Sequence, residues 1–281
     1  MPVMNAQTPI QTAILTPSGL QPTPYQATSL NDAASYEPPG VYTVGRTFDR
    51  DCVVEIEAHF DRTEESARLV GIPVRLDRPA IRAALRTLIE RGGYPNSRFR
   101  LTVPRTPSDQ LYIAVEPLNP VPPEVRAQGV GVRSFPVHRQ NPRAKDNQWM
   151  VDRVALKAQM TPDDYEGLLT DPEGRLLEGL SSNFYAIRDG ALYTAPNGIL
   201  EGISRRIVMT VAPDVLPVHE EPVALADLPA LQEAFLTSSS RGIVPIVAIN
   251  GERIGDGHPG PMTRALTRRY DAWAQAHLER L

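Results

Sequence analysis

Hydrophobic and polar positions follow two periods along this chain, and the switches between them mark its elements. From Ile56, apolar or small residues recur at Phe60, Thr63, Ala67 and Val70, the spacing of one helix face. A second helix is predicted from Asp77 as N-cap, with Pro79 in its first turn. It buries Ile81, Leu85, Leu88 and Ile89 and stops at Gly92-Gly93. Apolar runs at 41–47 and 52–56 read as paired strands around a turn at 49–51, and more strands are expected at 99–103 and 111–115. Pro117, Pro120, Pro122 and Pro123 then interrupt any regular element, which places a domain boundary there. Beyond it the pattern predicts a strand near 131–137 and a short helix over 149–159. Hairpins follow, joining 165–170 to 175–178 and 183–187 to 191–194. A helix from Ile203, strands at 215–219 and 234–237, and a hairpin at Asn250-Gly251 come next. The last helix, from Gly260, puts Met262, Leu266, Tyr270 and Trp273 on one face.

Residues 1–39 are rich in Pro, Thr, Ser, Gln and Ala and show no clear period apart from a short strand at 13–15, so an extended or partly disordered segment is expected. The pattern therefore predicts an α+β chain in three parts. These are the segment 1–39, a small N-terminal α/β domain over 40–122, and a larger domain over 123–281 with more strand.

Composition narrows the function classes. The 281 residues, 41% hydrophobic and 22% charged, suffice to bury a core. A net charge of −4 gives no global pull toward nucleic acid or an anionic membrane, and no apolar stretch approaches the length that spans a bilayer. The first basic residue is Arg46, so the positive region of a secretory signal is missing, and the single Cys52 excludes intrachain disulfides and Cys-rich metal sites. A cytoplasmic protein is expected. There is no phosphate-loop, dinucleotide or nucleophile-elbow motif. The five histidines are scattered without an H-E-x-x-H pair, so no metal is expected. Of 29 basic residues only Lys145 and Lys157 are lysine. Arginine replaces lysine on most solvated surfaces but stays protonated and cannot form a Schiff base, which singles out the two survivors.

The strongest local string is Glu178-Gly179-Leu180-Ser181-Ser182-Asn183-Phe184-Tyr185. It resembles the E-G-x-x-S-N-[FL]-[FY] signature of class IV aminotransferases, the group of branched-chain aminotransferases, D-amino acid transaminases and aminodeoxychorismate lyases. Four further matches stand in the same order over most of 41–268. They are Gly40-Val41-Tyr42 with His59-Phe60-Asp61-Arg62, then Lys145, then Gly202-Ile203-Ser204-Arg205, then Thr237-Ser238-Ser239-Ser240 leading to Ile243-Val244-Pro245.

The resemblance implies a pyridoxal 5'-phosphate enzyme of fold type IV, with a smaller N-terminal α/β domain and a larger domain on a β-barrel-like core. It implies transfer of an amino group from an amino acid to a 2-oxo acid, and a homodimer. A pyruvate-releasing lyase and a non-catalytic cofactor-binding relative are the alternatives. Lys145, which stands 33 positions before Glu178, is the residue that the resemblance assigns to the Schiff base and the proton transfer. Glu178 would face the pyridine nitrogen, where a carboxylate holds the proton that makes the ring an electron sink. Arg62, Ser181, Ile203, Ser204 and Ser239 would bind the cofactor, with the phosphate met by the Arg62 fork, the hydroxyls and the N–H groups of a helix start. Tyr42, Ser240 and Arg241 would meet the substrate. The chain departs from the family at Thr43, where a Glu is common and where Thr looks more like the lyases. It also departs at Met150, where branched-chain enzymes carry a Tyr. Arg100 and Arg105 lie where D-amino acid transaminases hold a substrate carboxylate, and structural roles for both are equally open.

Overall fold

The structure, a computed structural model, describes residues 9–281. The described chain divides into two compact units. One takes the residues through Asn119 together with Ala144–Gln148 and Leu278–Leu281, and the other takes Pro120–Arg143 and Trp149–His277.

In the first unit, strands β1 (Gln11–Thr16), β2 (Gly19–Pro22), β3 (Gly40–Arg46), β5 (Ser97–Pro104) and β6 (Leu111–Pro117) form an antiparallel sheet in the order β2-β1-β6-β5-β3. Helices α2 (Ile56–Leu69) and α3 (Arg78–Gly92) cover one face, and Phe60, Leu85, Leu88 and Ile89 pack with Phe99, Leu101, Val103 and Ile113. The helix signals act as expected. The Asp77 side chain accepts the Ala80 N–H at 3.0 Å, and Gly93 ends α3 with φ 63°. Within the stretch expected to be extended, β1, β2 and the helix α1 (Leu30–Tyr36) form. The hydrogen-bonding partner of β1 is β6, a hundred residues away, which local composition does not reveal.

The hairpin expected from 41–47 and 52–56 is corrected. Beyond the Phe48–Cys52 bridge, β3 pairs with β5 over seven residues, from Gly40 opposite Pro104 to Arg46 opposite Arg98. β4 (Cys52–Val54) is too short to match that length and pairs instead with β16 (Leu278–Arg280). Gly40 is required where β3 meets β5, since a Cβ there would lie 2.1 Å from the Val103 carbonyl oxygen.

The second unit has a closed ring of strands, the β-barrel-like core that the family resemblance implies. Its members are β7 (Val130–Phe135), β8 (Asp164–Thr170), β9 (Leu176–Gly179), β10 (Asn183–Arg188), β13 (Glu233–Ser238) and β14 (Gly242–Ile249). They run β10-β13-β14-β7-β8-β9, and β9 returns to β10 through a single pair, Glu178 opposite Asn183. Val132, Leu168, Phe184, Leu236, Val244 and Ile246 fill the interior. β11 (Ala191–Tyr193) extends β10 through a turn at Asp189-Gly190 with φ 51° and 72°. The strand expected at 215–219 shrinks to β12 (Val218–His219). The N–H groups of Val215 and Leu216 donate to the Ala212 carbonyl, and Pro217 has none to give a ladder.

Helix α4 spans Pro123–Gln128 and α5 spans Gln148–Lys157, α6 (Ile203–Val211) packs with α7 (Pro261–Ala276), and β15 (Glu252–Arg253) pairs with β14. The Glu233 carboxylate anchors α7 by accepting from the N–H groups of Met262 at 3.0 Å and Thr263 at 2.6 Å. The buried face of α7 is centred on Thr263, Leu266, Tyr270 and Ala274, so Met262 and Trp273 lie at its margins. Among the described residues no helix is long and apolar enough to cross a membrane.

Candidate active site

Lys145 sits on a short segment built into the first unit. Its carbonyl accepts the Tyr42 N–H at 2.9 Å, the Asn147 N–H donates to the Gly40 carbonyl at 2.9 Å, and Val41 bridges Asp146. The Lys145 N–H donates to the Ser66 hydroxyl on α2 at 3.1 Å. Asn147 adds a side-chain clamp, donating to the Pro38 carbonyl and accepting the Gly40 N–H, each at 2.8 Å. The half-buried amine is therefore carried on a rigid backbone, with Nζ 4.8 Å from the centre of the Tyr42 ring. Lys157, by contrast, is exposed in the last turn of α5.

Around the lysine, Tyr42 is also stacked by Arg100, whose guanidinium carbon is 4.0 Å from the ring centre. Arg100 is fully buried and ion-paired to the equally buried Glu37 at 2.9 Å, which gives it a structural counter-charge within the unit. One strand position along, buried Thr43 joins two polar groups. Arg62 donates to the Thr43 hydroxyl at 2.8 Å, and that hydroxyl lies 2.7 Å from His59 Nδ1. The Thr43 hydroxyl thus links the Arg62 guanidinium to the His59 ring, accepting from the first and sharing one hydrogen bond with the second.

Burial first, and then the charges of Arg62 and Lys145, hold His59 well below the ordinary 6.5. Below that pH the unfolded chain binds a proton that the native protein does not, so stability falls as pH drops through 6.5 and is fully present above it. The slope for one such group reaches at most about 1.4 kcal/mol per pH unit. Urea midpoints measured from pH 7 down to pH 5 are expected to fall more steeply for the native sequence than for His59→Gln. Equal slopes would assign the loss to other groups.

The second unit carries the other candidates. Glu178, 3% exposed, accepts the Leu200 N–H at 2.9 Å through Oε2 and faces Arg139 Nη1 at 3.5 Å through Oε1. Its cross-strand partner Asn183 donates to the Leu200 carbonyl at 2.8 Å. The five-residue spacing in the signature thus puts Glu178 and Asn183 opposite each other, and the pair grips both polar groups of Leu200. Two residues on, Gly202 opens α6, and a Cβ there would lie 2.2 Å from Asn183 Oδ1. Ile203 and Ser204 follow as the first helical residues, both buried, and no side chain caps this terminus. Its leading N–H groups therefore lack intrahelical partners, the arrangement that attracts an anion.

Ser239 and Ser240 lie half-buried in the turn between β13 and β14, closed by the Arg241 N–H donating to the Ser238 carbonyl at 3.1 Å. The Arg241 side chain pairs with buried Glu166 at 2.7 Å and donates to the Ser181 hydroxyl at 3.1 Å, while Ser181 donates to Glu166 at 3.0 Å. This network ties the signature turn to the serine turn through charge-assisted bonds.

Of the expected residues, Tyr42, Arg62 and Lys145 belong to the first unit. Glu178, Ser181, Ile203, Ser204, Ser239, Ser240 and Arg241 belong to the second. The sequence reading missed Asn147, Arg139 and the clamp role of Asn183. Asn183 lay inside the quoted signature, whereas the other two had no local signal. The chemistry of this set suits pyridoxal phosphate. An amine on a fixed segment suits its aldehyde, a buried carboxylate its protonated ring nitrogen, and an uncapped helix start with a buried hydroxyl its phosphate.

Comparison with known proteins agrees. Residues 40–249 match the family described as Amino-transferase class IV. A D-alanine aminotransferase of Staphylococcus epidermidis is 27% identical over 254 residues, covering 85% of this chain and 89% of the relative. A branched-chain-amino-acid aminotransferase of Pseudomonas aeruginosa is 26% identical over 253 residues, covering 82% of each. Among solved structures, the Escherichia coli branched-chain amino acid aminotransferase gives a TM-score of 0.77 at 20% identity, over 95% of this chain and 98% of that one. A hypothetical aminotransferase from Mycobacterium tuberculosis, in its PLP-bound form, gives 0.75 at 21% identity, over 95% and 99%. At that identity the structural likeness is one of fold, and the match to the family model, over well more than half the sequence, decides the rest: this chain belongs to the class IV aminotransferases, the pyridoxal-phosphate enzymes of fold type IV.

Proposed function

We propose that this aminotransferase moves an amino group between an amino acid and a 2-oxo acid with Lys145 as both the cofactor attachment point and the proton carrier. The observation that carries the reading is the pinned lysine segment, where main-chain bonds to Tyr42 and Gly40 fix one of only two lysines in the chain. When bound, pyridoxal phosphate supplies an electron sink that makes the substrate Cα–H acidic. Lys145 Nζ would hold the cofactor and carry that proton, a role open to an amine and closed to arginine.

Glu178, its carboxylate oriented by Arg139 and the Leu200 N–H, would hold the proton on the ring nitrogen. Arg62, the N–H groups of Ile203 and Ser204, and the hydroxyls of Ser204 and Ser239 would hold the phosphate. Tyr42 and the Ser240 N–H meet the substrate. Arg241, whose own N–H closes the turn on Ser238, sets the position of that turn, as Ser181 does through Glu166. The family resemblance supports a homodimer, and the single cysteine supports a cytoplasmic setting.

A donor screen tests the reaction. An amino acid is expected to bleach the bound cofactor's absorption and a 2-oxo acid to restore it, when L- and D-amino acids, branched-chain and aromatic ones included, are offered in turn. Accumulation of 4-aminobenzoate from aminodeoxychorismate, with no donor active, would replace amino transfer by the lyase reaction. A band that ignores every donor would make the protein a non-catalytic binder.

A further inference from the structure

We infer that Tyr270, on the last helix, is a positioning residue that turns the Ser204 hydroxyl into a dedicated donor to the cofactor phosphate. This rests on the phosphate reading of the α6 terminus given above. Tyr270 is 4% exposed, and its O–H donates to Ser204 Oγ at 2.9 Å across 66 residues of sequence. A serine hydroxyl has one proton and two lone pairs. With a phenol filling one lone pair, the Ser204 proton is directed to a different acceptor. At an uncapped helix start, beside outward N–H groups, the acceptor that suits it is an anion. The donated bond also polarises the serine O–H, so that it becomes a stronger donor.

The framework holds this geometry firmly. Tyr270 lies on the buried face of α7 with Leu266 and Ala274, α7 packs on α6, and the Glu233 carboxylate grips the N–H groups of Met262 and Thr263 at the start of α7. On the other side, a Cβ added to Gly242 would lie 3.6 Å from Tyr270 Cε1, in ordinary contact, so the ring is also located against the end of the serine turn. The matched family region stops at residue 249, so this residue comes from a part of the chain outside it.

The test resolves the holoenzyme from its cofactor and measures rebinding of pyridoxal phosphate and of pyridoxal, which lacks the phosphate, to four proteins. These are the native chain, Tyr270→Phe, Ser204→Ala and the double variant. Tyr270→Phe keeps the ring and its packing. It is expected to weaken pyridoxal phosphate about five- to tenfold, the value of one buried hydrogen bond, and to leave pyridoxal unchanged. In the Ser204→Ala background it is expected to cost nothing further. Equal weakening of both ligands would make Tyr270 a packing residue and overturn the inference, as would an undiminished loss in the double variant. If Ser204→Ala itself leaves the preference for the phosphorylated ligand intact, the α6 phosphate site fails and the inference with it.

Discussion

Lys145→Ala is expected to lower kcat by at least ~10^4-fold, because one change removes both the covalent link to the cofactor and the base that moves the Cα proton. The fold should survive the change. The segment is held by the main chain of Lys145 and by the Asn147 side chain, through bonds to Tyr42, Ser66, Gly40 and Pro38. On the segment's side these bonds are made by main-chain atoms and by Asn147, and all of them persist in the variant, so it is expected to fold and to unfold cooperatively on heating. Lys145→Arg should lose as much activity as the alanine variant, since a guanidinium retains charge but not nucleophilicity. Exposed Lys157 supplies the control, and Lys157→Ala should retain full rate. Borohydride reduction of the holoenzyme followed by peptide mapping reads the attachment point directly. A label on the peptide carrying residue 157, or substantial turnover without Lys145, would sink the assignment.

The second large effect is expected at Glu178. Glu178→Gln should reduce kcat about 10^2- to 10^3-fold, the range found when one preorganised electrostatic group is removed. The substitution separates two roles that the carboxylate combines. As a clamp, it accepts the Leu200 N–H at 2.9 Å, which an amide oxygen can also do. As a charge, it faces Arg139 at 3.5 Å and, in the proposed chemistry, holds a proton on the ring nitrogen. A near-native rate in the glutamine variant would reduce Glu178 to the clamp. A large fall in kcat, with little change in affinity for the cofactor phosphate, would establish the charge as the working part. Glu178→Ala removes both roles and leaves Arg139 facing a vacated carboxylate. Its cost in stability is expected to be about 3–5 kcal/mol on chemical denaturation.

Much of this was legible before any coordinates because the informative residues are local. Asp77 caps and Gly93 ends α3 as their side chains dictate, and the tight turns at Asp189-Gly190 and Asn250-Gly251 join the strands expected to flank them. The signature string was legible for a related reason. Glu178 and Asn183 are near neighbours in sequence, and a turn between paired strands is enough to set them opposite each other. What stayed hidden depends on partners far along the chain. β1 needs β6, β4 needs β16, and the Ser204 hydroxyl needs Tyr270, and none of these pairs has a signature within one window of residues. Arg100 shows the same limit. Only the buried Glu37 beside it distinguishes an internal ion pair from an arginine kept for a substrate carboxylate. Thr43, a departure from the family pattern, acquires a definite task once Arg62 and His59 are seen to share its hydroxyl.

The first unit is assembled from three separated stretches of chain, and this sets an order on biosynthesis. Its lysine-bearing stretch docks on residues 40–42 only after residue 147 has been translated, and its β4 edge waits for residues 278–280. At ribosomal speeds of about 5–20 residues per second, β4 spends on the order of ten seconds or more with its partner β16 still unmade. Through that interval β4 presents an unpaired strand border that is vulnerable to wrong pairing, until residues 278–280 cover it.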